Sequence, residues 1–391
     1  MVTKKVVIEK ANRMFQLPPP LFSLLHKEKT KTSFLRTNIL NFSKFNWPVE
    51  TDSELTFDSE SLSPAGDKKI QQLKDAVSVW FEKRHNVSLI PEKEVYIGSG
   101  IRNIILNLGL SFIDRGELAF VPGLGYPHYR RTVAACGGEA IAYELNEKNS
   151  WLPQKESFET SAGRVAKLMF LNSPHNPTGA TLTAKDISFL IRVAAKENII
   201  LINDAAYQSL SELNPLSILS IAGGKNVGVE LYSFSYTFGL PALPFGFVVG
   251  NREIINGLKQ IERLSPQPVL NLYADLALSA MKQFPNSPLK RVRRLISQNY
   301  GEIIKLAELL GLEEVGQRSV PFLWCRISGR KSSLRAANLL YRQGRIMAVP
   351  GNEFGDSGEG YLRFSLTETS ERYVEACQRI EKKRRFFKIS K

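Results

Sequence analysis

The chain has few cysteines and no long apolar run, and each shortage excludes a class of protein. Its three cysteines, Cys136, Cys325 and Cys377, are too few and too scattered for a disulfide framework or a zinc site. No apolar segment approaches the roughly 18 residues that a membrane-spanning helix needs, and residues 1–6 lack the apolar region of a signal peptide. We therefore expect a cytoplasmic protein with buried, unreactive thiols and no metal or membrane partner.

The chain does have bulk and positive charge. Its 391 residues, of which 43% are hydrophobic, are enough to bury a large core and to divide into two domains. The net charge of +14 is partly concentrated in residues 382–388, which would suit an anionic partner. A solvated final helix and tail explains the same residues, and no nucleic-acid-binding module accompanies them. A nucleic-acid partner is therefore not expected.

Helical and β-rich segments alternate through the middle of the chain, which favours a mostly parallel sheet covered on both faces. Thr183 and Asp186 have the spacing of a capping box. The apolar residues that follow at helical spacing are Ile187, Leu190, Ile191 and Ala194. We expect a helix that begins after Thr183 and buries this stripe.

Two predicted strands lead into polar turns. The apolar run over residues 199–203 ends at Asp204, and the run over residues 229–233 ends just before Tyr236. A third strand-like run covers residues 94–97. Because open α/β sheets bind ligands at the carboxyl ends of their strands, Asp204 and Tyr236 are expected to share one crevice.

Four motifs follow one another along the chain: SPHNPTG at 173–179, DAAY at 204–207, SFSYTFG at 233–239 and GYLRF at 360–364. In this order they resemble the class I and II aminotransferases of fold type I. The LPPPLF segment at 17–22 and residues 355–363 are most similar to the branch that holds the LL-diaminopimelate and alanine aminotransferases. The resemblance extends from about Arg13 to about Ile380. Four ordered motifs are much more specific than a single match.

The resemblance implies an α/β fold with two domains. The large domain, residues 51–274, would contain a mostly parallel sheet covered by helices and would hold pyridoxal phosphate. Residues 1–50, the N-terminal arm, would join residues 275–391 in a smaller α+β domain. Relatives are homodimers with sites at the subunit interface, so a homodimer is implied here.

The resemblance also assigns roles to individual residues. Asp204 would pair with the pyridine nitrogen of the cofactor, Asn176 and Tyr207 would donate to its ring oxygen, and Tyr126 would stack on its ring. Each has a structural alternative: a loop carboxylate for Asp204, turn chemistry for Asn176 and core packing for Tyr126. Arg363 matches the arginine that binds the substrate carboxylate as a bidentate pair, so the implied ligand is a small amino or keto acid.

Two functions of the family have lost their usual residues. Tyr236 stands where a lysine binds the cofactor covalently and then moves the substrate proton. Tyrosine cannot form a Schiff base, although its phenol, with an ordinary pKa of about 10, could act as an acid or a weak base if its environment lowered that value. Pro244 replaces the arginine that binds the phosphate, and Leu62 takes the place of a tyrosine that reaches the phosphate across the dimer.

Smaller departures lie beside these. Ala242 stands where glycine is usual, and Phe45 replaces a glycine near the substrate, so a substrate different from that of the relatives is expected. Other phosphate contacts remain. Gly100 and Ile101 begin a predicted helix whose free amides favour an anion; Ser233 and Ser235 add hydroxyls, and Arg102 is a candidate substitute charge. The Gly100 turn is also compatible with a plain helix start.

Three hypotheses follow. The first is an aminotransferase-like enzyme that holds pyridoxal or pyridoxamine phosphate noncovalently, with Tyr236 in the proton-transfer role, because Lys225 lies about a strand's length too far away to supply the missing lysine. The second is a catalytically inactive pseudo-enzyme that serves as a dimeric binding or regulatory protein. The third is a basic-surface binding protein whose tail carries the interaction. The joint presence of Asp204, Asn176, Tyr207 and Arg363 favours the first.

Overall fold

The structure is a computed structural model, and it describes residues 10–11, 13–17, 39–45, 59–158, 165–240, 243–284, 288–329 and 332–383. The predictions for residues 18–22, Ala242 and residues 384–388 therefore lie outside the described residues. Within the described ranges, no helix is long and apolar enough to cross a membrane.

The strands of the described residues form one large sheet and two smaller ones. In chain order they are β1 Leu40–Asn41, β2 Val95–Gly98, β3 Leu118–Pro122, β4 Glu139–Tyr143, β5 Ala166–Asn172, β6 Ile200–Asp204, β7 Gly228–Ser233, β8 Gly246–Gly250, β9 Leu312–Glu314, β10 Phe322–Ile327, β11 Ile346–Met347, β12 Val349–Pro350 and β13 Tyr361–Ser365. The large sheet has seven strands in the order β2-β8-β7-β6-β5-β3-β4. Only β8 runs against its neighbours there, so the predicted mostly parallel sheet is confirmed.

The α-helices described are α1 Arg13–Gln16, α2 Asp67–His85, α3 Pro91–Glu94, α4 Gly100–Phe112, α5 His128–Ala135, α6 Ala184–Glu197, α7 Gly224–Val227, α8 Phe234–Phe238, α9 Arg252–Glu262, α10 Asn271–Gln283, α11 Pro288–Leu309, α12 Ser333–Leu339 and α13 Ser370–Lys382. Helices α2, α6 and α10 pack on one face of the large sheet. Helices α4, α5 and α9 pack on the opposite face. Each fully buried aliphatic side chain in these layers, such as Ile105, stabilises the fold by about 1.5–3 kcal/mol.

Helix α6 forms as its sequence predicted. The amide of Asp186 donates to the Thr183 hydroxyl over 3.3 Å, and the Thr183 amide donates to the Asp186 carboxylate over 2.8 Å. The buried residues of the helix are the four predicted ones, Ile187, Leu190, Ile191 and Ala194. The helix ends where Asn198 adopts the left-handed conformation at φ 56°.

The strand predicted over residues 94–97 was wrong at its first residue. Pro91 fixes the backbone for a helical turn, so residues 91–94 form α3 and the strand begins at Val95. The Glu94 carboxylate accepts a hydrogen bond from the Ile90 amide over 2.9 Å, which closes this turn. The strand that leads to Asp204 likewise starts one residue later than predicted and includes Asp204.

The second hydrophobic core lies around a four-stranded antiparallel sheet in the order β12-β13-β10-β9. Helices α11 and α13 pack on it through residues such as Leu306 and Tyr373. Strand β1 pairs in parallel with β11, which joins a segment near the start of the chain to one near its end. The domain limits of 51 and 274 stay a prediction.

All three cysteines are free, and two of them, Cys325 and Cys377, are buried as expected. Cys136 is only partly buried, so the expectation of a fully buried thiol was wrong there. Partial burial nevertheless raises the pKa of the Cys136 thiol to about 11. The reactive thiolate is therefore scarce at neutral pH.

Candidate active site

The predicted crevice lies at the carboxyl edge of the large sheet. Asn172, the last residue of β5, pairs in register with Asp204, the last residue of β6. Strand β7 is the next neighbour and ends at Ser233, directly before α8 with Tyr236. Three adjacent parallel strands thus end side by side at this edge, and the two that lead to Asp204 and Tyr236 are those whose convergence the strand-end argument predicted.

Asp204 is held in a buried position by two hydrogen bonds. Asp204 is 6% exposed to solvent. One carboxylate oxygen accepts from the Tyr129 hydroxyl over 2.7 Å, and the other accepts from the Ala206 amide over 3.1 Å. Burial raises the pKa of Asp204 to about 6, while the two hydrogen bonds oppose that shift. At neutral pH the carboxylate is mostly ionised and can pair with a protonated ring nitrogen.

A buried chain of hydrogen bonds joins Asp204 to Arg363. The side-chain nitrogen of Asn172 donates to the backbone carbonyl of Asp204 over 2.7 Å. The side-chain oxygen of Asn172 accepts from the backbone amide of Asn176 over 2.7 Å. Arg363 then donates from Nη1 to the Asn176 side-chain oxygen over 2.8 Å. Because a guanidinium only donates, the Asn176 oxygen must face Arg363. The Nδ2 donor of Asn176 is thereby directed away, as donation to a ring oxygen requires.

The turn that carries Asn176 is shaped by its own sequence motif. His175 Nε2 lies 2.9 Å from the Leu124 carbonyl and so must donate to it, which leaves Nδ1 to accept from the Thr178 hydroxyl over 2.8 Å. Burial lowers the pKa of His175 to about 4, so the ring stays neutral. Gly179 has φ 77°, and a Cβ there would lie 1.9 Å from the Gln317 carbonyl oxygen. Only glycine fits this close approach.

Arg363 combines deep burial with a retained charge. The residue is 3% exposed, and its guanidinium carbon lies 4.0 Å from the Phe322 ring centroid and 4.9 Å from that of Phe354. Nη2 donates to the Ser43 carbonyl over 3.0 Å, whereas Nε is buried without a hydrogen-bond partner among the described residues. Burial lowers the pKa of Arg363 to about 10, which still leaves it cationic at neutral pH.

Tyr236 packs among aromatic rings. Its ring centroid lies 5.0 Å from that of Phe45, edge to face, and 5.0 Å from that of Tyr207. Its hydroxyl shares a hydrogen bond with Tyr207. Burial raises the pKa of Tyr236 above its ordinary value, and the effects of Arg102, Tyr207 and Arg363 only partly oppose this. The sequence allows a lowered pKa and a role as an acid or a weak base; the structure instead favours the neutral, protonated phenol.

Tyr126 is tied to Arg102. The Arg102 Nε donates to the Tyr126 hydroxyl over 2.6 Å, and the guanidinium carbon lies 5.9 Å from the ring centroid. Tyr126 also packs edge to face on Tyr129, at 5.8 Å between centroids. The structure therefore places Arg102 beside the predicted stacking ring. Its substitution for a phosphate-binding cation stays a prediction.

The predicted phosphate end lies at the start of α4. Gly100 opens this helix at φ 70°, and a Cβ there would lie 3.4 Å from the carbonyl oxygen of Pro244. Pro244 is thus next to the helix start, as its spacing suggested, and it contributes no cation. The Ser235 hydroxyl donates to the Leu243 carbonyl over 3.0 Å, and the Ser99 hydroxyl donates to Gln267 over 2.6 Å. Ile101 is partly buried and Ser233 is buried at the end of β7.

Two of the remaining predicted positions lie away from this edge or face solvent. Lys225 pairs with Glu94 over 2.8 Å and also donates to the Ser88 carbonyl. It precedes β7, at the opposite end of that strand from Tyr236, so it is not placed to replace the lysine. Leu62 is 56% exposed.

Sequence reasoning missed Tyr129 and Asn172. Asn172 ends a strand beside Asp204, so the rule that selected Asp204 would also have selected it. Tyr129 carries no comparable signal, because it lies 75 residues from Asp204 and only the packing of α5 brings the two together.

Comparison with known proteins identifies the family. Residues 49–380 match the family described as aminotransferase class I and II. The LL-diaminopimelate aminotransferase of Syntrophobacter fumaroxidans is 30% identical over 387 residues, which cover 95% of this chain and 98% of the relative. That of Halothermothrix orenii is 28% identical over 383 residues, covering 96% and 98%. The substrate-bound BacF structure from Bacillus subtilis superposes with a TM-score of 0.87 at 26% identity, covering 96% and 98%. The chain belongs to the class I and II aminotransferase family.

Proposed function

We propose that this protein holds pyridoxal phosphate or pyridoxamine phosphate noncovalently and acts on, or binds, a small amino or keto acid without ordinary transamination. The observation that carries the proposal is the buried hydrogen-bond chain from Asp204 through Asn172 and Asn176 to Arg363. It links the backbone of Asp204, whose carboxylate is buried, to the buried guanidinium of Arg363. Burying both groups is costly unless ligands pair with them, which favours a retained binding function.

The residues present fit the ring of the cofactor. Asp204 would hold its nitrogen, Asn176 and Tyr207 its ring oxygen, and Tyr126 one face of the ring. When bound, such a ring withdraws electrons from a carbon of an attached amino acid. Asp204 supports this role because its pKa of about 6 leaves it ionised at neutral pH.

The contacts proposed for the cofactor phosphate are weaker than those proposed for its ring. The amides of Gly100 and Ile101 and the hydroxyl of Ser233 are the proposed contacts, while Ser235 is directed to the Leu243 carbonyl. Pro244 has replaced a charge-assisted contact that is worth about 1.5–3 kcal/mol, so the affinity is expected to be about tenfold to a hundredfold below that of a relative with arginine. Together with the missing lysine, this makes the proposed binding reversible.

Tyr236 is the group placed to hold or deliver a proton. Its raised pKa keeps the phenol protonated, and its hydrogen bond to Tyr207 provides a second hydroxyl from which a proton can be replaced. The phenol of Tyr236 would thus hold its proton and give it up only as a replacement proton arrives through Tyr207, where the family's lysine alternately accepts and donates one. This asymmetry is why ordinary transamination is not proposed.

The proposed ligand carries one carboxylate, paired with Arg363. The named relatives are LL-diaminopimelate aminotransferases, but Phe45 packs its ring against Tyr236 and reduces the room beside the crevice. We therefore propose a different amino or keto acid. A homodimer and a cytoplasmic location belong to the same proposal.

The second candidate is a pseudo-enzyme that serves as a dimeric binding or regulatory protein. One observation favours it: Phe45, Tyr207 and Tyr236 pack together against Leu210, Leu289 and Val292 in one apolar cluster. This cluster makes the replacement of the lysine a stabilising feature of the fold, independent of any chemistry.

An absorbance titration with pyridoxal and pyridoxamine phosphates separates the two candidates. The wild-type protein, Tyr236→Lys and Tyr236→Phe are titrated, and each is then treated with borohydride. We expect saturable binding by all three and a trapped covalent adduct only in Tyr236→Lys. Tyr236→Phe is the matched control, because it keeps the ring packing and loses only the hydroxyl.

Absence of binding by both the wild type and Tyr236→Lys would refute the cofactor proposal and leave the pseudo-enzyme. A trapped adduct in the wild type would show that another lysine forms the covalent link, and the noncovalent proposal would then be wrong. With binding established, a keto acid that changes the spectrum of the wild type and not of Tyr236→Phe would support the proton-transfer role of Tyr236.

A further inference from the structure

A groove of about 890 Å³ lies between α2, α10 and the loop over residues 214–220. Its volume is within the range of about 300–1,000 Å³ that is typical of small-molecule sites. Val79, Trp80, Leu216 and Phe284 supply apolar walls. None of the candidate active-site residues lines it. The groove is thus large enough for a ligand of its own.

The charged side chains of the groove are mainly cationic. Lys83, Arg84 and Lys282 face a single acidic residue, Asp75, which gives three positive charges minus one negative charge, or +2. His85 adds none, because burial, with further repulsion from Arg84, lowers its pKa to about 3. A low-dielectric wall beside such a charge favours an anion.

Arg84 is a largely buried cation whose hydrogen-bonding groups are not all paired. Its Nε is buried and has no hydrogen-bond partner among the described residues. Burial lowers its pKa; Tyr232 opposes this effect and Arg293 adds repulsion. A guanidinium in this state is costly to bury. An anion in the groove would offset part of that cost.

We propose that this groove is a second ligand site, which binds a small molecule with an apolar, ring-sized body and one anionic group. The body lies against Trp80 and Phe284, and the anionic group lies among Lys83, Arg84 and Lys282. The site neighbours the active-site elements and remains separate from them. Trp80 packs on Phe238, at 5.5 Å between ring centroids, and Phe238 ends the helix α8 that carries Tyr236.

The test uses 8-anilinonaphthalene-1-sulfonate, an aromatic body with one sulfonate, titrated against the full chain by fluorescence and by calorimetry. Val79→Trp places a large ring in the groove at a position that is 52% exposed, where the fold tolerates it. We expect the dissociation constant to rise at least about tenfold. The matched control is Leu110→Trp on α4, on the opposite face of the sheet, where the original side chain is 48% exposed. Binding of the sulfonate by Leu110→Trp should stay unchanged.

The charge is tested separately with Lys83→Glu combined with Lys282→Glu. We expect sulfonate binding to weaken by about tenfold, since two attractive surface pairs become repulsive. N-phenyl-1-naphthylamine, which lacks the sulfonate, should bind less tightly to the wild type and should be insensitive to the two lysine changes. Circular dichroism and Tm verify that each variant is folded.

Three results would each overturn the proposal. Binding of the sulfonate that is unchanged in Val79→Trp would place the probe elsewhere. Equal affinity for the neutral probe would mean that the groove is only apolar surface. Displacement by pyridoxal phosphate, with loss of sulfonate binding in Arg363→Lys, would place the probe in the candidate active site.

Discussion

Tyr129→Phe tests the electrostatics of the candidate site by removing a single hydroxyl group. The change removes the hydroxyl that donates to the Asp204 carboxylate over 2.7 Å and leaves the Ala206 amide as its remaining described donor. The ring itself stays, so its stacking on Phe170, at 5.4 Å between centroids, is preserved. The perturbation is therefore confined to one hydrogen bond.

The expected loss depends on the charge of Asp204. The pKa of this acid rises from 3.8 to about 6 on folding, so the folded state binds more protons and stability falls as the pH rises through that window. Above it, Tyr129 donates to an ionised group, a bond worth about 1.5–3 kcal/mol, whereas below it the bond is neutral and worth about 0.5–1.5 kcal/mol. The difference, about 1 kcal/mol or more, should also raise the pKa of Asp204 in the variant by about one unit.

Urea unfolding at pH 5 and at pH 8 measures this difference. Tyr129→Phe should lower the free energy of unfolding at both pH values, and by about 1 kcal/mol more at pH 8. Tyr143→Phe is the matched control, since Tyr143 is a buried phenol that donates to a neutral acceptor, the Phe170 carbonyl, over 2.8 Å. Tyr143→Phe should lower the free energy of unfolding by the same amount at pH 5 and at pH 8. Equal losses for Tyr129→Phe at pH 5 and pH 8 would refute the reasoning about Asp204.

Two further predictions concern ligand affinity. Arg363→Lys should weaken the binding of a keto acid, measured by calorimetry, by about tenfold to a hundredfold, because an ammonium cannot form the paired contact of a guanidinium. The control is Arg326→Lys, which changes a surface ion pair with Glu147 at 2.8 Å and should leave keto acid binding unchanged. Pro244→Arg should strengthen pyridoxal phosphate binding in the absorbance titration by about tenfold or more, because it adds a cation beside the start of α4. Affinity that is unaltered in Pro244→Arg would contradict the assignment of the phosphate to that helix.

The fold was accessible from the sequence because its signals are local. The capping box of Thr183 and Asp186 and the stripe on α6 depend on neighbours within a few turns, and both are confirmed. The order of strand and polar turn then placed Asp204 and Tyr236 at one edge of the sheet. Glu94 shows the limit of such reasoning, since Pro91 converted the predicted first residue of β2 into the end of a helix.

The energetics of the site depend on contacts that no local signal contains. Arg363 and Asn176 are 187 residues apart in the chain, yet their hydrogen bond decides which way the Asn176 amide points. The direction of the Tyr236 pKa shift likewise depends on burial by residues from several elements. Residue types at motif positions could thus be assigned from the sequence, whereas their protonation and hydrogen-bond partners required the structure.

The residue type at position 236 sets part of the charge balance around Arg363. The two side chains interact electrostatically, and the neutral phenol adds no repulsion to the buried guanidinium. A lysine at this position would meet both burial and a nearby cation, and each of these lowers the pKa of an amine. In Tyr236→Lys the new amine should therefore be partly unprotonated near neutral pH, which is the form that attacks a carbonyl. Trapping by borohydride should then succeed at about pH 7–8, well below the ordinary lysine pKa of about 10.4. If trapping required a pH near that ordinary value, position 236 would be exposed to solvent and remote from Arg363.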